Sequence, residues 1–289
     1  MKTDVLILDG NNLAHRSYHS MARLNNKGKP VSIIYGLPNL VGSMIKKFKP
    51  KRVYLVWDGE KSKIRLGLCP DYKGHRAYNR NFDPEDFYKQ RDKVMEVFHT
   101  LGVKQLHNIK YEADDVIYML AKRFEDRRVI IASNDKDFHQ LISDTVRIYN
   151  ASGDILTPSN LYEKKAYNPS SCVDYLCLVG DNSDNIKGYP GIGEVRGKQF
   201  LKEHSSIENF LSSNKTHKGI DKEKLEQLYA TNRQLIDLAY YNKLHMAKAK
   251  LKFFKDDKQP EINKPALFKI CDEYHILSFR KLQFLRIWE

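Results

Sequence analysis

The chain has 289 residues, 41% hydrophobic and 29% charged, which suits one large buried core, or a large and a small one, and excludes a disordered chain. Its 49 Lys and Arg against 36 Asp and Glu give a formal charge of +13, favouring a polyanionic partner: nucleic acid or an anionic membrane face. No apolar run approaches the roughly 20 residues of a spanning helix, and the four cysteines lack the spacing of a zinc or disulfide framework.

In chain order, residues 5–8 (VLIL), 53–56 (VYLV) and 129–132 (VIIA) are nearly continuous apolar runs, the pattern of strands covered on both faces. Between them the spacing predicts helices over 33–48, 84–101 and 113–125. That alternation defines an α/β domain. Asp83, Pro84, Glu85 and Asp86 mark the start of the second helix: a cap, a first-turn proline and acids at the positive end of the dipole. After about residue 165 short helices dominate. A Gly/Pro-rich turn spans 188–193, a helix 194–204, a longer helix 221–241, and a linker 256–265 leads to a final apolar, aromatic helix ending at Trp288. Phe87, Phe98, Phe279, Phe284 and Trp288 read as core. The start, MKTDVLILDGNN, offers no secretory cleavage site, so a cytoplasmic protein with reduced thiols is expected.

Each strand-like run leads into an acid: Asp9 after the first, Asp58 after the second, Asp135 and Asp137 after the third. Ligand sites in open α/β sheets form beyond the carboxyl ends of the strands, so these side chains converge if the strands are neighbours. Glu112, Asp114 and Asp115 at a helix start, and Asp181 and Asp184, add to the set. Taken singly, each has an ordinary alternative: an Asp-Gly turn at Asp9 and Asp58, a helix cap or dipole partner elsewhere. Together, nine carboxylates would repel one another without a counter-ion. Oxygen-only ligands without histidine point to Mg²⁺ or Mn²⁺ rather than zinc. A pair of such ions suits phosphoryl chemistry, one activating water and the other stabilising the leaving oxygen.

Residues 61–80 carry Lys61, Lys63, Arg65, Lys73, Arg76 and Arg80 against Asp71 alone, interleaved with Tyr72 and Tyr78 and followed by Phe82. Cations for phosphates and aromatic faces for unstacked bases compose a single-strand-binding channel. A solvated charged loop is the plainer alternative, and the neighbouring acids favour the channel. The turn at 188–193 and its following helix read as a helix-hairpin-helix, able to hold a phosphate on backbone N–H groups without reading sequence. Gly191, Gly193, Lys187, Arg196 and Lys198 are its candidate contacts, against the alternative of an ordinary helix–helix turn. The histidines carry no functional assignment.

The segments LDGNN (8–12), DG (58–59), YKGHR (72–76), EADD (112–115), DKD (135–137), DYLCLVGDNSDNI (174–186) and GYPGIG (188–193) stand in the order seen in 5′ nucleases. The chain resembles the flap endonuclease/5′–3′ exonuclease family, which includes the 5′-nuclease domain of bacterial DNA polymerase I and stand-alone phage enzymes; with no polymerase domain following, it resembles the stand-alone, phage-type members. The resemblance implies an α/β, PIN-like core with a mostly parallel sheet over 1–165, including a helical arch at about 61–101. It also implies a helical C-terminal region over 166–289, with the helix-hairpin-helix at about 171–204. Two Mg²⁺ ions, or Mn²⁺ in their place, are implied at the nine acids, and K⁺ at the helix-hairpin-helix. Lys73 and Arg76 are implied to contact the scissile phosphate. Two departures stand out: Leu176, where some phage members carry a basic residue, and Val195-Arg196-Gly197 in place of Lys-Thr-Ala.

The function so implied is a metal-dependent 5′ nuclease, exonuclease or flap endonuclease, with RNase H-type action, that removes RNA primers or 5′ flaps in replication, a phage's among them. Expected partners are 5′-flap or 5′-ended DNA and RNA/DNA hybrids, with a replicative polymerase, clamp or single-strand-binding protein, and no membrane; a monomer is expected. The rivals are a PIN-type single-strand ribonuclease and a non-catalytic junction-binding protein.

Overall fold

The computed structural model describes residues 3–21, 24–74, 82–246 and 258–289. Its frame is a six-stranded sheet. β1 (Val5–Asp9) lies at the centre, beside β4 (Arg52–Trp57) on one side and β6 (Val129–Ala132) on the other. β5 (Lys104–His107) extends the sheet past β4, and β7 (Val146–Tyr149) then β8 (Ile155–Leu156) extend it past β6. All these pairings are parallel except β8 on β7. A small hairpin of β2 (Asn25–Asn26) and β3 (Lys29–Pro30) stands apart.

The continuous apolar runs are explained by two covered faces. Val5 and Ile7 point into one hydrophobic cluster, and Leu6 and Leu8 into another. Each such fully buried side chain contributes about 1.5–3 kcal/mol relative to exposure. The Leu6 face is covered by α1 (Gly10–Ser20), α2 (Ser32–Phe48) and α4 (Pro84–Thr100). The Ile7 face is covered by α5 (Ala113–Arg123), α6 (Pro158–Lys165) and a helical array: α7 (Cys172–Val179), α8 (Glu194–His204), α9 (Ile207–Ser212), α10 (Lys222–Ile236) and α11 (Leu238–His245). A short α3 (Lys63–Leu68) lies against α10. Asp83 caps α4 by accepting from the Glu85 and Asp86 N–H groups.

Three expectations are revised. The helix expected over 221–241 is two helices, because Asp237 leaves helical geometry (φ −75°, ψ 99°) and caps α11 by accepting from the Tyr240 N–H. The expected final helix is instead α12 (Lys264–Glu273), a 3₁₀ turn (Leu277–Arg280) and one short turn, α13 (Leu282–Leu285). These close back onto the Leu6 face, where Phe279, Phe284 and Leu285 join Phe87 and Phe98, so the C-terminal segment packs on the α/β core. β5, β7 and β8 were not anticipated; β5 (KQLH) is polar and buries only Leu106, as an edge strand permits. Residues 256–257 of the expected linker lie outside the described residues.

Candidate metal centre

Asp9 ends β1, Asp58 follows β4, and Asp135 lies just beyond β6. These strands are parallel neighbours, so all three carboxylates reach one edge of the sheet. There, Asp9, Asp58, Asp114, Asp135 and Asp184 line an open cleft of about 730 Å³ together with Lys73. Asp114 comes from the first turn of α5, which is tied to the strand end by the Ala113 N–H donating to Asp58 Oδ1 (2.8 Å). Asp181 and Asp184 come from a tight ribbon of β9 (Gly180–Asp181) and β10 (Ile186–Lys187). Gly180 adopts φ +83°, and a Cβ there would lie 2.5 Å from the Gly188 nitrogen and the Ile186 oxygen, so only glycine lets the ribbon close.

Turn and cap roles coexist with convergence. Asp9 Oδ1 caps α1 by accepting from the Asn12 N–H (3.1 Å), while Oδ2 accepts from the Ser133 hydroxyl (2.7 Å). Asp135 accepts from the Asp137 N–H (2.9 Å).

The Lys73 ammonium sits inside the cluster, 2.6 Å from Glu112, 3.2 Å from Asp114 and 3.7 Å from Asp184. Its backbone is left-handed (φ +53°) and its N–H donates to the Asp184 carbonyl (2.9 Å). Lys136 pairs with Asp181 at 3.0 Å. Burial would raise the Glu112 carboxyl, but Lys73 and Arg65 outweigh it and hold the group down at about 2. Elsewhere negative charge is in excess. Burial, reinforced by Asp114 and Asp184, pushes Asp135 up to about 7. Burial with Asp114 and Asp58 raises Asp9, and burial with Asp135, Asp184 and Asp181 raises Asp137. Asp137 Oδ1 and Asn11 Oδ1 are buried without a hydrogen-bond partner. Orphaned oxygens, surplus carboxylates and an oxygen donor set together fit hard divalent cations.

Three expectations are corrected. Arg65 does not face nucleic acid: it is 1% exposed, bonded through both terminal nitrogens to Asp115 (2.8 Å each) and to Glu112 (3.1 Å), with its guanidinium 3.7 Å from the centre of the Tyr241 ring. An acidic cluster beside a core needs a counter-charge from within. Asp115 accordingly gives both its oxygens to Arg65 and is not among the residues lining the cleft. Tyr72 offers no face to a base; it is 2% exposed, and its hydroxyl donates to Glu112 (3.1 Å). Glu112 itself receives the Ser62 N–H, Arg65, Tyr72 and Lys73. Phe82 packs with His15, Tyr18 and Phe87. Arg76, Tyr78 and Arg80 lie outside the described residues.

Lys61 and Lys63 are exposed, Lys61 donating to the carbonyl of the cleft residue Lys73 (3.0 Å). At the glycine turn, Gly191, Gly193 and Lys187 are exposed, and Lys198 is 3.7 Å from Glu194. Arg196 braces that turn, donating to the Gly191 carbonyl (2.8 Å) and the Lys218 carbonyl (2.7 Å). Sequence reasoning passed over several cleft residues: Asn11, Asn12, Asn134, Lys136 and Ser183, each within a few positions of a selected acid, and His15 one helical turn on. Adjacency to the acids was the available signal.

Two family models match the chain in succession: the 5′–3′ exonuclease N-terminal resolvase-like domain over residues 4–167, and the 5′–3′ exonuclease C-terminal SAM fold over 167–259. The 5′–3′ exonuclease of Aquifex aeolicus is 33% identical over 272 residues, covering 91% of this chain and 90% of that protein. Thermostable DNA polymerase I of Thermus thermophilus is 37% identical over 215 residues, 73% of this chain but 25% of the polymerase, so the chain spans about a quarter of the polymerases it matches. Among solved structures, a bacteriophage T5 flap endonuclease in a pseudo-enzyme–product complex with DNA and metal ions superposes with a TM-score of 0.71 at 20% identity, over 94% of this chain and 99% of that one, a likeness of fold. Among the described residues no helix is long and apolar enough to cross a membrane.

Proposed function

The chain belongs to the 5′–3′ exonuclease family, and from that premise we propose that it is a divalent-metal-dependent, structure-specific 5′ nuclease. One observation carries the reading: five acids from five segments line one open cleft, with a lysine ammonium among them. Mg²⁺, or Mn²⁺ in its place, would be held as two ions among Asp9, Asp58, Asp114, Asp135, Asp137, Asp181 and Asp184, with Glu112 behind them. Such ions supply an activated water and stabilise the leaving oxygen of an in-line displacement.

The protein's own part is to place the phosphate. Lys73 stands among the acids, its ammonium held by Glu112, Asp114 and Asp184. Two of these are proposed ligands, so ion binding would loosen Lys73 and free it to contact the scissile phosphate. Arg76 joins the proposal through the YKGHR motif, Arg80 through the basic stretch 61–80, and Lys61 and Lys63 through that stretch and their exposure. The arch proposed over about 61–101 to admit a 5′ end includes residues 75–81, which lie outside the described residues, and its helix α4 packs on the Leu6 face. Lys187, Gly191, Gly193, Arg196 and Lys198 would hold duplex by its phosphates. A K⁺ ion would sit on carbonyls of the same turn, where the Gly191 carbonyl already serves Arg196.

Substrates on this reading are 5′ flaps, 5′ ends and RNA/DNA hybrids at RNA primers, cut to a 5′-phosphate and a 3′-hydroxyl by a monomer in the cytoplasm. The polymerase relatives favour a partner in replication: a polymerase, a clamp or a single-strand-binding protein. The test is cleavage of a 5′-labelled flap by wild type with Mg²⁺, wild type with EDTA, and Asp135→Asn with Mg²⁺. Cutting near the junction in the first alone is expected. Junction binding without cutting in all three would replace the nuclease with a binding protein, and a preference for single-stranded RNA would favour a PIN-type ribonuclease.

A further inference from the structure

Beyond the acidic cleft, at the far end of α8, one carboxylate and two imidazoles point at one another. Glu203 and His204 close the helix, and His217 comes from the loop after α9. His204 Nε2 is 3.2 Å from His217 Nδ1, His217 Nδ1 is 3.2 Å from Glu203 Oε2, and His204 Nε2 is 3.8 Å from the same oxygen. Ligand atoms about 2.0–2.2 Å from a tetrahedral zinc lie about 3.3–3.5 Å from one another, so this triangle has the dimensions of one face of such a site.

We propose that Glu203, His204 and His217 form a second metal site, distinct from the acidic centre and selective for an imidazole-seeking divalent ion such as Zn²⁺. The chemistry of the donors separates the two sites: oxygens alone in the cleft, two imidazole nitrogens with one carboxylate here. The surroundings hold these donors in place. His204 is packed between the rings of Phe200 and Phe210 (4.7 Å to each), and Phe200 also backs His217 (5.3 Å). Gln199 donates to Glu203 Oε1 (2.9 Å), leaving Oε2 turned to the histidines. The negative end of the α8 dipole favours a cation at this place. Hydrogen bonding alone serves the triangle poorly, since a single proton on His217 Nδ1 would have to be shared between His204 Nε2 and Glu203 Oε2, both 3.2 Å away.

The site would act as a staple. It ties the loop carrying His217 to the C-terminal end of α8, while Arg196 ties the same loop, through the Lys218 carbonyl, to the Gly191 turn. The inference stands independently of the nuclease reading.

The test uses the full chain, stripped of metal and dialysed against micromolar Zn²⁺ in excess Mg²⁺, which competes for the oxygen-only centre. Bound zinc per chain and the thermal midpoint are read for wild type, His217→Ala and Glu203→Gln. Glu203 is 44% exposed, so its variant keeps the fold. One zinc per chain in wild type, with affinity at least about 10-fold weaker in both variants and a zinc-induced rise in midpoint confined to wild type, is expected. Equal zinc binding by wild type and both variants would overturn the proposal.

Discussion

Arg65 and Asp115 form a two-point ion pair, Nη1 to Oδ2 and Nη2 to Oδ1, each at 2.8 Å, with both side chains almost wholly excluded from water. The guanidinium lies behind the acidic cleft and neutralises it from the core side. Replacing it by methionine leaves Asp115 buried and unpaired, and should destabilise the protein by about 3–5 kcal/mol. Lysine keeps the charge and loses the two-point geometry, so Arg65→Lys should fall between. Denaturant unfolding measures both. A lysine variant as stable as wild type would mean that charge alone is needed.

Lys73→Ala should separate two quantities that usually fall together. Cleavage should drop by about 10²–10³-fold, as on loss of one donor to a developing oxyanion. Divalent-ion affinity, measured by calorimetry, should hold or rise, because an internal cation competing for Asp114 and Asp184 has gone. If affinity falls with activity, Lys73 supports the ion sites and the competition is wrong.

The raised carboxyls predict how the metal-free protein responds to pH. Asp135 titrates near 7 when folded, against 3.8 ordinarily, and Asp9 and Asp137 shift in the same direction. The folded state then binds more protons than the unfolded one, so these groups lower stability as pH rises through that window. His139, lowered to about 4 chiefly by burial, works the other way, but only below about 6.5. Between pH 6.5 and 8 in EDTA the thermal midpoint should therefore fall, and Mg²⁺ should raise it more at pH 8 than at 6.5. A midpoint indifferent to pH, with and without Mg²⁺, would count against the clustering of charge.

Gly180→Ala tests the ribbon that delivers Asp181 and Asp184. The new methyl would meet backbone, which cannot swing aside, at a left-handed φ. A cost of about 1–3 kcal/mol is expected. Cleavage should fall by about 10²-fold as the two acids shift. Wild-type activity in a destabilised Gly180→Ala protein would show that the chemistry tolerates displacement of this ribbon.

Much of the architecture was legible because its signals are local. Continuous apolar runs mark β1, β4 and β6, since strands covered on both faces have no polar alternation, and Asp83-Pro84 marks the start of α4 at its first residue. The acids at the strand ends were legible for the same reason: parallel neighbours carry their C-termini to one edge. The polar edge strand β5 was not, nor was the break at Asp237, where capping overrode an otherwise helical pattern.

What only the tertiary structure decided is which charges face water. Arg65 and Lys73 stand in one basic stretch and read alike, yet one is locked behind the cleft and the other reaches into it. Asp114 and Asp115 are adjacent in sequence, but successive positions on a helix point about 100° apart, so one lines the cleft and the other turns inward to Arg65. His204 and His217, thirteen positions apart and without a motif, meet only because the loop after α9 folds back on the end of α8. The sequence by itself determined the three central strands, the acids that follow them and the class of chemistry, because those depend on periodicity and residue type. The partner of each buried charge depends on contacts between segments distant in the chain, and only the folded molecule brings those together.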